Sequence, residues 1–300
     1  MKHKETTWGW MLAVDFFFAG MGGAMVALAG ISYLFFENSL TSIIGNFVGS
    51  IFIAIGAGFL ILELGRPFQA WRVFMNPKAV LTFGAWNMTL AIGCGFIFVS
   101  FGVDSFPWAE WLWAKQILAV LCIVFGLVVA TYPGVLLGRH KARPFWSGPG
   151  IITLFLLSSL VTGLAAHDLA NIAAGRALNF GGLLSGLLAL QIVFWGLYIY
   201  VKSTGLTTLE STTVSHWVKG PQSFSFWGLL LGLGSLVPLV LYVAPSSVTG
   251  IVAAVLALFG GAWMRWMVVK SGEHRTWLPG EEFYLSRLPK GDEEFLRVLK

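Results

Sequence analysis

The sequence predicts an all-α, polytopic membrane protein with eight transmembrane helices. Three observations carry that prediction: a shortage of charge, a series of long apolar runs, and a one-sided distribution of the charges that remain. Only 11% of the 300 residues are Asp, Glu, Lys or Arg, less than half of the roughly 25% usual in a soluble domain. Hydrophobic residues reach 57%, more than a soluble core can use. Gly (36) and Trp (14) are abundant, as expected where glycines let helices approach and indoles sit at headgroup level.

A helix needs about 20 apolar residues to cross about 30 Å of hydrocarbon. Runs of that kind occupy 10–34, 43–63, 83–101, 112–132, 149–166, 181–201, 224–243 and 248–269. The first follows Lys2 and Lys4 as a signal peptide would, but it is far longer than a cleavable core of roughly 7–15 residues, so it reads as a crossing. The second closes on Glu63, and the third opens through Phe83 and Trp86-Asn87. The fourth is expected to stop at Tyr132, because Pro133 lacks an N–H and biases its predecessor away from helical geometry. The fifth is short for a crossing and leaves His167-Asp168 in a solvated connection. Pro238 interrupts the seventh. Lys78, Phe83 and Trp86 recur in spacing as Lys219, Phe224 and Trp227, a faint repeat that suggests two related four-helix halves.

Seventeen of the nineteen Lys and Arg residues fall at the N-terminus, the 2–3, 4–5 and 6–7 connections, the end of the eighth run and the tail. Only Lys115 and Arg176 fall on the other side. Positive-rich connections stay in the cytoplasm, so both termini are expected there. Arg265 is counted with this basic rim. The net charge of +5 is then what inner-leaflet lipid requires, and nucleic acid is not an expected partner. The tail, 271–300, is charged and carries Trp277, Phe283, Tyr284 and Phe295, which fits a strap on a cytoplasmic partner as well as a solvated end.

An ionisable residue at membrane depth costs roughly 2.5–3.5 kcal/mol on insertion scales and needs a reason. Asp15 stands inside the first run, before the small stretch Gly20–Ala24; hydration from the interface is its bland explanation. Glu63 could pair at headgroup level with Arg66, and Tyr132 could simply mark the aromatic belt. Parity nevertheless brings Asp15, Glu63, Arg66, Trp86, Asn87 and Tyr132 to one membrane face. An acid, a phenol and an amide beside aromatic apolar walls suit a quinone, whose reduction consumes two electrons and two protons; Asp15 or Glu63 could carry those protons. Gln191, deep in the sixth run, needs no role beyond an interhelical hydrogen bond. Haem is not expected, because His3, His140, His167, His216 and His274 all fall in ends or connections and a membrane cytochrome needs ligands within its spans. Cys94 and Cys122 give no framework for a disulfide, zinc or an iron–sulfur centre, so the chain should hold no metal.

Asp15 through Gly23, Glu63-Leu64-Gly65-Arg66-Pro67-Phe68, Asn76-Pro77, Phe83-Gly84-Ala85-Trp86, Tyr132-Pro133-Gly134 and Arg143-Pro144-Phe145-Trp146 together resemble the polysulfide reductase membrane-subunit family, the NrfD/PsrC-like proteins, over nearly the whole chain. The resemblance implies two four-helix bundles, here 1–148 and 149–270, with a cytoplasmic tail at 271–300. It further implies a quinone (menaquinone or ubiquinone) in the first bundle, held by the residues matching Asp15 and Tyr132, with the acid matching Glu63 on a proton route. The partners implied are a ferredoxin-like iron–sulfur subunit and a molybdopterin catalytic subunit, in a bacterial or archaeal cytoplasmic membrane. On this reading the chain is the quinone-reactive subunit of an oxidoreductase complex rather than a stand-alone enzyme. Two departures stand out: the first-span position is His in some relatives, and the charge bias turns the quinone end inward where polysulfide reductase turns it outward. A secondary transporter and a passive anchor are the competing readings; the ionisable groups gather near one face rather than the midplane, which disfavours transport.

Overall fold

The computed structural model describes residues 9–36, 39–63, 67–76, 79–140, 143–176, 180–205, 208–243 and 247–273. These residues form helices, with no strand among them. Six long helices come first: α1 (Trp10–Phe36), α2 (Ser39–Glu63), α3 (Val80–Ser100), α4 (Leu112–Gly138), α5 (Pro149–Ala173) and α6 (Gly181–Ser203). A short helix α7 (Thr208–Val218) leads to a π-helical segment, Phe224–Leu236, continued by α8 (Val237–Val243); α9 (Ser247–Lys270) ends the described core. A 3-10 helix, Pro67–Met75, links α2 to α3. Eight stretches are long and apolar enough to cross a bilayer, the π segment and α8 making one of them, Phe224–Val243. The face on which α1 begins is termed proximal and the opposite one distal.

Three crossings differ from the sequence-based expectation. Helix α4 runs on through Pro133 to Gly138, so Tyr132 lies inside the helix rather than at its end. Proline removes one backbone hydrogen bond without ending the helix, because neighbouring helices re-satisfy the freed groups. Helix α5 extends to Ala173 and is a full-length crossing. Its final turns carry His167 and Asp168, both with no exposed surface, instead of leaving them in a connection. The His167 ring is held at Nε2 by the carbonyl oxygen of Thr41, 2.9 Å away, and burial with a partner is what lets polar side chains extend a helix here. The seventh crossing begins as a π-helix ahead of Pro238. The Ser235 hydroxyl donates to Leu230 O, five residues back, at 3.1 Å. The third crossing is α-helical throughout, so the repeated Phe and Trp residues open unlike helices.

Helix α1 is central, packing on α2, α3, α4, α5 and α9. Its small residues make that possible: a Cβ on Gly22 would lie 2.5 Å from Gly49 O, and one on Gly23 would lie 2.8 Å from both Gly126 O and Ala130 N. Small-on-small contact of this kind drives helix association where lipid offers no hydrophobic contrast. Helix α9 meets the π segment in the same way, Gly260 against Gly234.

At the proximal end the Arg143–Ser147 stretch locks α6, α7 and α9 together. Trp146, fully buried, donates to Val268 O at 2.7 Å, and the Arg143 guanidinium lies 4.4 Å from its ring centroid. The Tyr198 hydroxyl donates to Phe145 O. Lys202 donates to Pro144 O (2.7 Å), Ser147 O (2.9 Å) and Glu210 (2.7 Å). The tail strap is expected over 271–300, and its aromatics Trp277, Phe283, Tyr284 and Phe295 lie outside the described residues.

Candidate functional site

Asp15 comes little more than one turn into α1 and has no exposed surface. Tyr132 reaches the same depth from α4, 2% exposed, and the two side chains lie within electrostatic reach of each other. Gly84 of α3 makes room for the phenol: a Cβ there would stand 2.3–2.7 Å from the tyrosine ring. Both carboxyl oxygens of Asp15 and the hydroxyl of Tyr132 lack a hydrogen-bond partner among the described residues. Buried polar groups are almost always satisfied, and leaving one unmade costs about 1–3 kcal/mol. Two such residues within electrostatic reach of each other leave hydrogen-bonding capacity in reserve. Phe16, Met88 and Val129, all buried on the same three helices, supply apolar surroundings.

The other expected residues distribute around this pair. Glu63, at the end of α2, accepts the backbone N–H of Gly9 at 2.9 Å and so ties the start of α1 to the end of α2 at the proximal rim, half-buried. Asn87 shares the buried face of α3 with Gly84, yet its amide donates to Phe83 O at 2.7 Å within its own helix. Trp86 is 50% exposed and packs edge-on against Phe74 of the 3-10 linker, centroids 5.3 Å apart. It therefore faces away from Tyr132. Arg66 lies outside the described residues.

Sequence reasoning placed Arg265 on the basic rim, and the structure corrects that. Its side chain has no exposed surface and is enclosed by α1, α5 and α9. The signal was present: Arg265 is the one charged residue in the run 248–269, and Gly260-Gly261 and Ser158-Ser159 mark small and polar positions that could receive it. Lys202 and Arg143, assigned to the rim with it, are also buried. At the distal end the Asp168 carboxylate lies within electrostatic reach of Tyr242, whose hydroxyl is unpartnered among the described residues.

Fold and site define a class: an eight-crossing helical membrane protein with a buried acid and a buried phenol within electrostatic reach of each other. Within it, the protein belongs to the NrfD family, since the family described as polysulphide reductase, NrfD, matches residues 1–275. It is 26% identical to the C polypeptide of Wolinella succinogenes polysulfide reductase, over 91% of its own length and 96% of that protein's. It is 23% identical to the NrfD protein of Escherichia coli, over 90% of its own length and 96% of that protein's. The NrfD homologue of Haemophilus influenzae is 26% identical over 56% of this sequence and 60% of its own. The protein is thus a multi-pass membrane subunit of a family associated with redox complexes.

Proposed function

We propose that this protein is the quinone-reactive membrane subunit of a respiratory complex, exchanging electrons between the quinone pool and an iron–sulfur subunit on the cytoplasmic face. The observation that supports this most is the Asp15–Tyr132 pair, fully buried yet without hydrogen-bond partners among the described residues. A quinone head offers two carbonyl oxygens and, when bound, supplies the two-electron chemistry that no side chain here provides. The Tyr132 hydroxyl donates to one carbonyl oxygen. The Asp15 carboxyl holds or releases a proton at the other, the general acid–base role. Glu63, at the end of α2 and bonded to the Gly9 N–H just before α1, is the group that would exchange protons with water. Asn87, on the same buried face of α3 as Gly84, borders the site.

The partner side of the proposal rests on surface and charge. The linker Pro67–Met75 presents Phe68, Trp71 and Met75, all more than half exposed, at the proximal face next to the site, where an electron-delivering subunit would dock. The one-sided Lys and Arg distribution supports a cytoplasmic assignment for that face. The Wolinella relative is by its name one polypeptide of polysulfide reductase, which supports a multi-subunit assembly here; in this proposal its other members are an iron–sulfur subunit and a molybdopterin catalytic subunit. In this arrangement residues 1–148 house the quinone, 149–270 form a second bundle, and 271–300 strap the partner.

The test is quinol oxidation by the purified complex. Asp15→Asn and Tyr132→Phe should each lose turnover while the complex stays assembled. Normal turnover and normal quinol affinity in both would leave a passive anchor in place of the proposed role.

A further inference from the structure

The least expected residue of this protein is Arg265. A charged side chain near the end of a crossing ordinarily snorkels to the interface, and Arg265 does the opposite. Its Nε donates to Phe16 O at 2.9 Å, Nη1 to Ser158 Oγ at 3.0 Å and to Gly261 O at 2.9 Å, and Nη2 to Ser159 Oγ at 2.9 Å. All four acceptors are neutral oxygens. The guanidinium carbon also lies 5.7 Å from the ring centroids of both Phe17 and Phe155. Charge pairing with a described residue therefore does not account for its place, whereas geometry does.

Those bonds lead to the two helices of the proposed site. Phe16 directly follows Asp15 in α1. Ser159 passes its own hydroxyl hydrogen to Ala130 O, 3.1 Å away, and Ala130 stands on α4 half a turn before Tyr132. One planar fork on α9 thus reaches the backbone beside Asp15 directly and the backbone beside Tyr132 through one serine. Gly20 completes the seat: a Cβ there would lie 2.8 Å from Nη2 and 2.6 Å from Ser159 Oγ. A lysine could not reproduce this, because its ammonium is a point donor on a flexible stem rather than a rigid fork.

We propose that Arg265 is a positioning residue for the Asp15–Tyr132 site, fixing the separation and rotation of α1 against α4 from a helix of the opposite half of the protein. The proposal rests on the quinone reading of that site. It also gives the C-terminal crossings a task in the chemistry although they contribute no group to the pair itself.

Three variants of the intact complex test it. Arg265→Lys keeps the charge and loses the fork, Ser159→Ala keeps the charge and cuts the link to α4, and Gly20→Ala crowds the seat. Each should raise the quinol KM on the order of tenfold, the scale expected when a supporting contact lets a reacting geometry drift by a fraction of an ångström. The kcat should change much less, because Asp15 itself is intact. Each should also shift the Asp15 carboxyl band in infrared spectra, a band identified by its loss in Asp15→Asn. An unchanged KM and an unchanged band in folded Arg265→Lys and Ser159→Ala complexes would overturn the proposal. So would lower thermal stability with KM and band unchanged, which assigns Arg265 to packing alone. A wild-type complex that turns over no quinol defeats the functional reading instead, and the infrared band still decides whether Arg265 positions Asp15.

Discussion

Lys202 and Asp15 are both buried near the proximal face, and the protein treats them oppositely. Lys202 has an acceptor for each of its three donors, two backbone carbonyls and Glu210. Asp15 has no partner for either oxygen among the described residues. The first arrangement is closed: it welds α6 and α7 to the Arg143–Ser147 stretch and leaves nothing over for a guest. The second is open, held in shape by glycine contacts and by the Arg265 network rather than by bonds of its own. Burial alone therefore does not distinguish the two residues; unmet hydrogen-bonding capacity does.

If that contrast is correct, the two residues should fail in different ways. Asp15→Asn should lower quinol turnover by about 10²–10⁴-fold, the range for a positioned acid–base group, with thermal stability equal to or above wild type. Loss of folding in this variant would erase the contrast. Lys202→Met should take the cation away from buried Glu210 and destabilise the protein by about 3–5 kcal/mol, seen as a lower midpoint in thermal denaturation, while the surviving complex keeps its quinol kinetics. Adding Glu210→Gln to Lys202→Met should recover part of that loss. Gly84→Ala sits between the two modes: its methyl group would press on the Tyr132 ring, costing about 1–3 kcal/mol as overpacking and raising the quinol KM.

The smallest effect concerns pH. Burial, with the Arg143 guanidinium adding to it, lowers the pKa of His140 below the ordinary imidazole value. The folded protein thus holds its proton less tightly than the unfolded polypeptide. This contribution to stability is complete above a pH of about 6.5 and is lost as pH falls below that value toward the lowered folded pKa. His140→Gln should flatten the slope of thermal midpoint against pH in that acidic window and leave neutral stability nearly unchanged.

The fold was legible because a bilayer imposes a coarse requirement, a long apolar run for each crossing, and the eight runs met it. What the runs concealed were polar residues that the protein shelters from lipid. Pro133 and His167-Asp168 read as ends because an isolated helix would stop there, whereas packed helices supply what the backbone and side chains lack. Arg265 read as rim because counting charge near a helix end takes no account of which way the side chain turns. Asp15 and Tyr132 lie within electrostatic reach of each other, since two residues near the same end of antiparallel helices share a depth whatever the packing. Trp86 and Asn87 share that depth too, but rotation about the α3 axis, invisible to parity, turns one toward the outside and folds the other onto its own helix.

The π segment of the seventh crossing has a consequence for how this protein tolerates insertion and deletion. Winding with bonds five residues back fits more residues into each turn than the α form does, so Phe224–Leu236 stores surplus backbone within a membrane-spanning rod. Removing a single residue there would let the rod tighten toward α geometry while Pro238 and the distal half of the crossing stay in place. The price would be a rotation of Phe226 out of its contacts with Trp195 and Trp217, whose rings now lie 5.9 and 5.7 Å away. That crossing is the place where a length difference between homologues could be absorbed without moving either membrane surface.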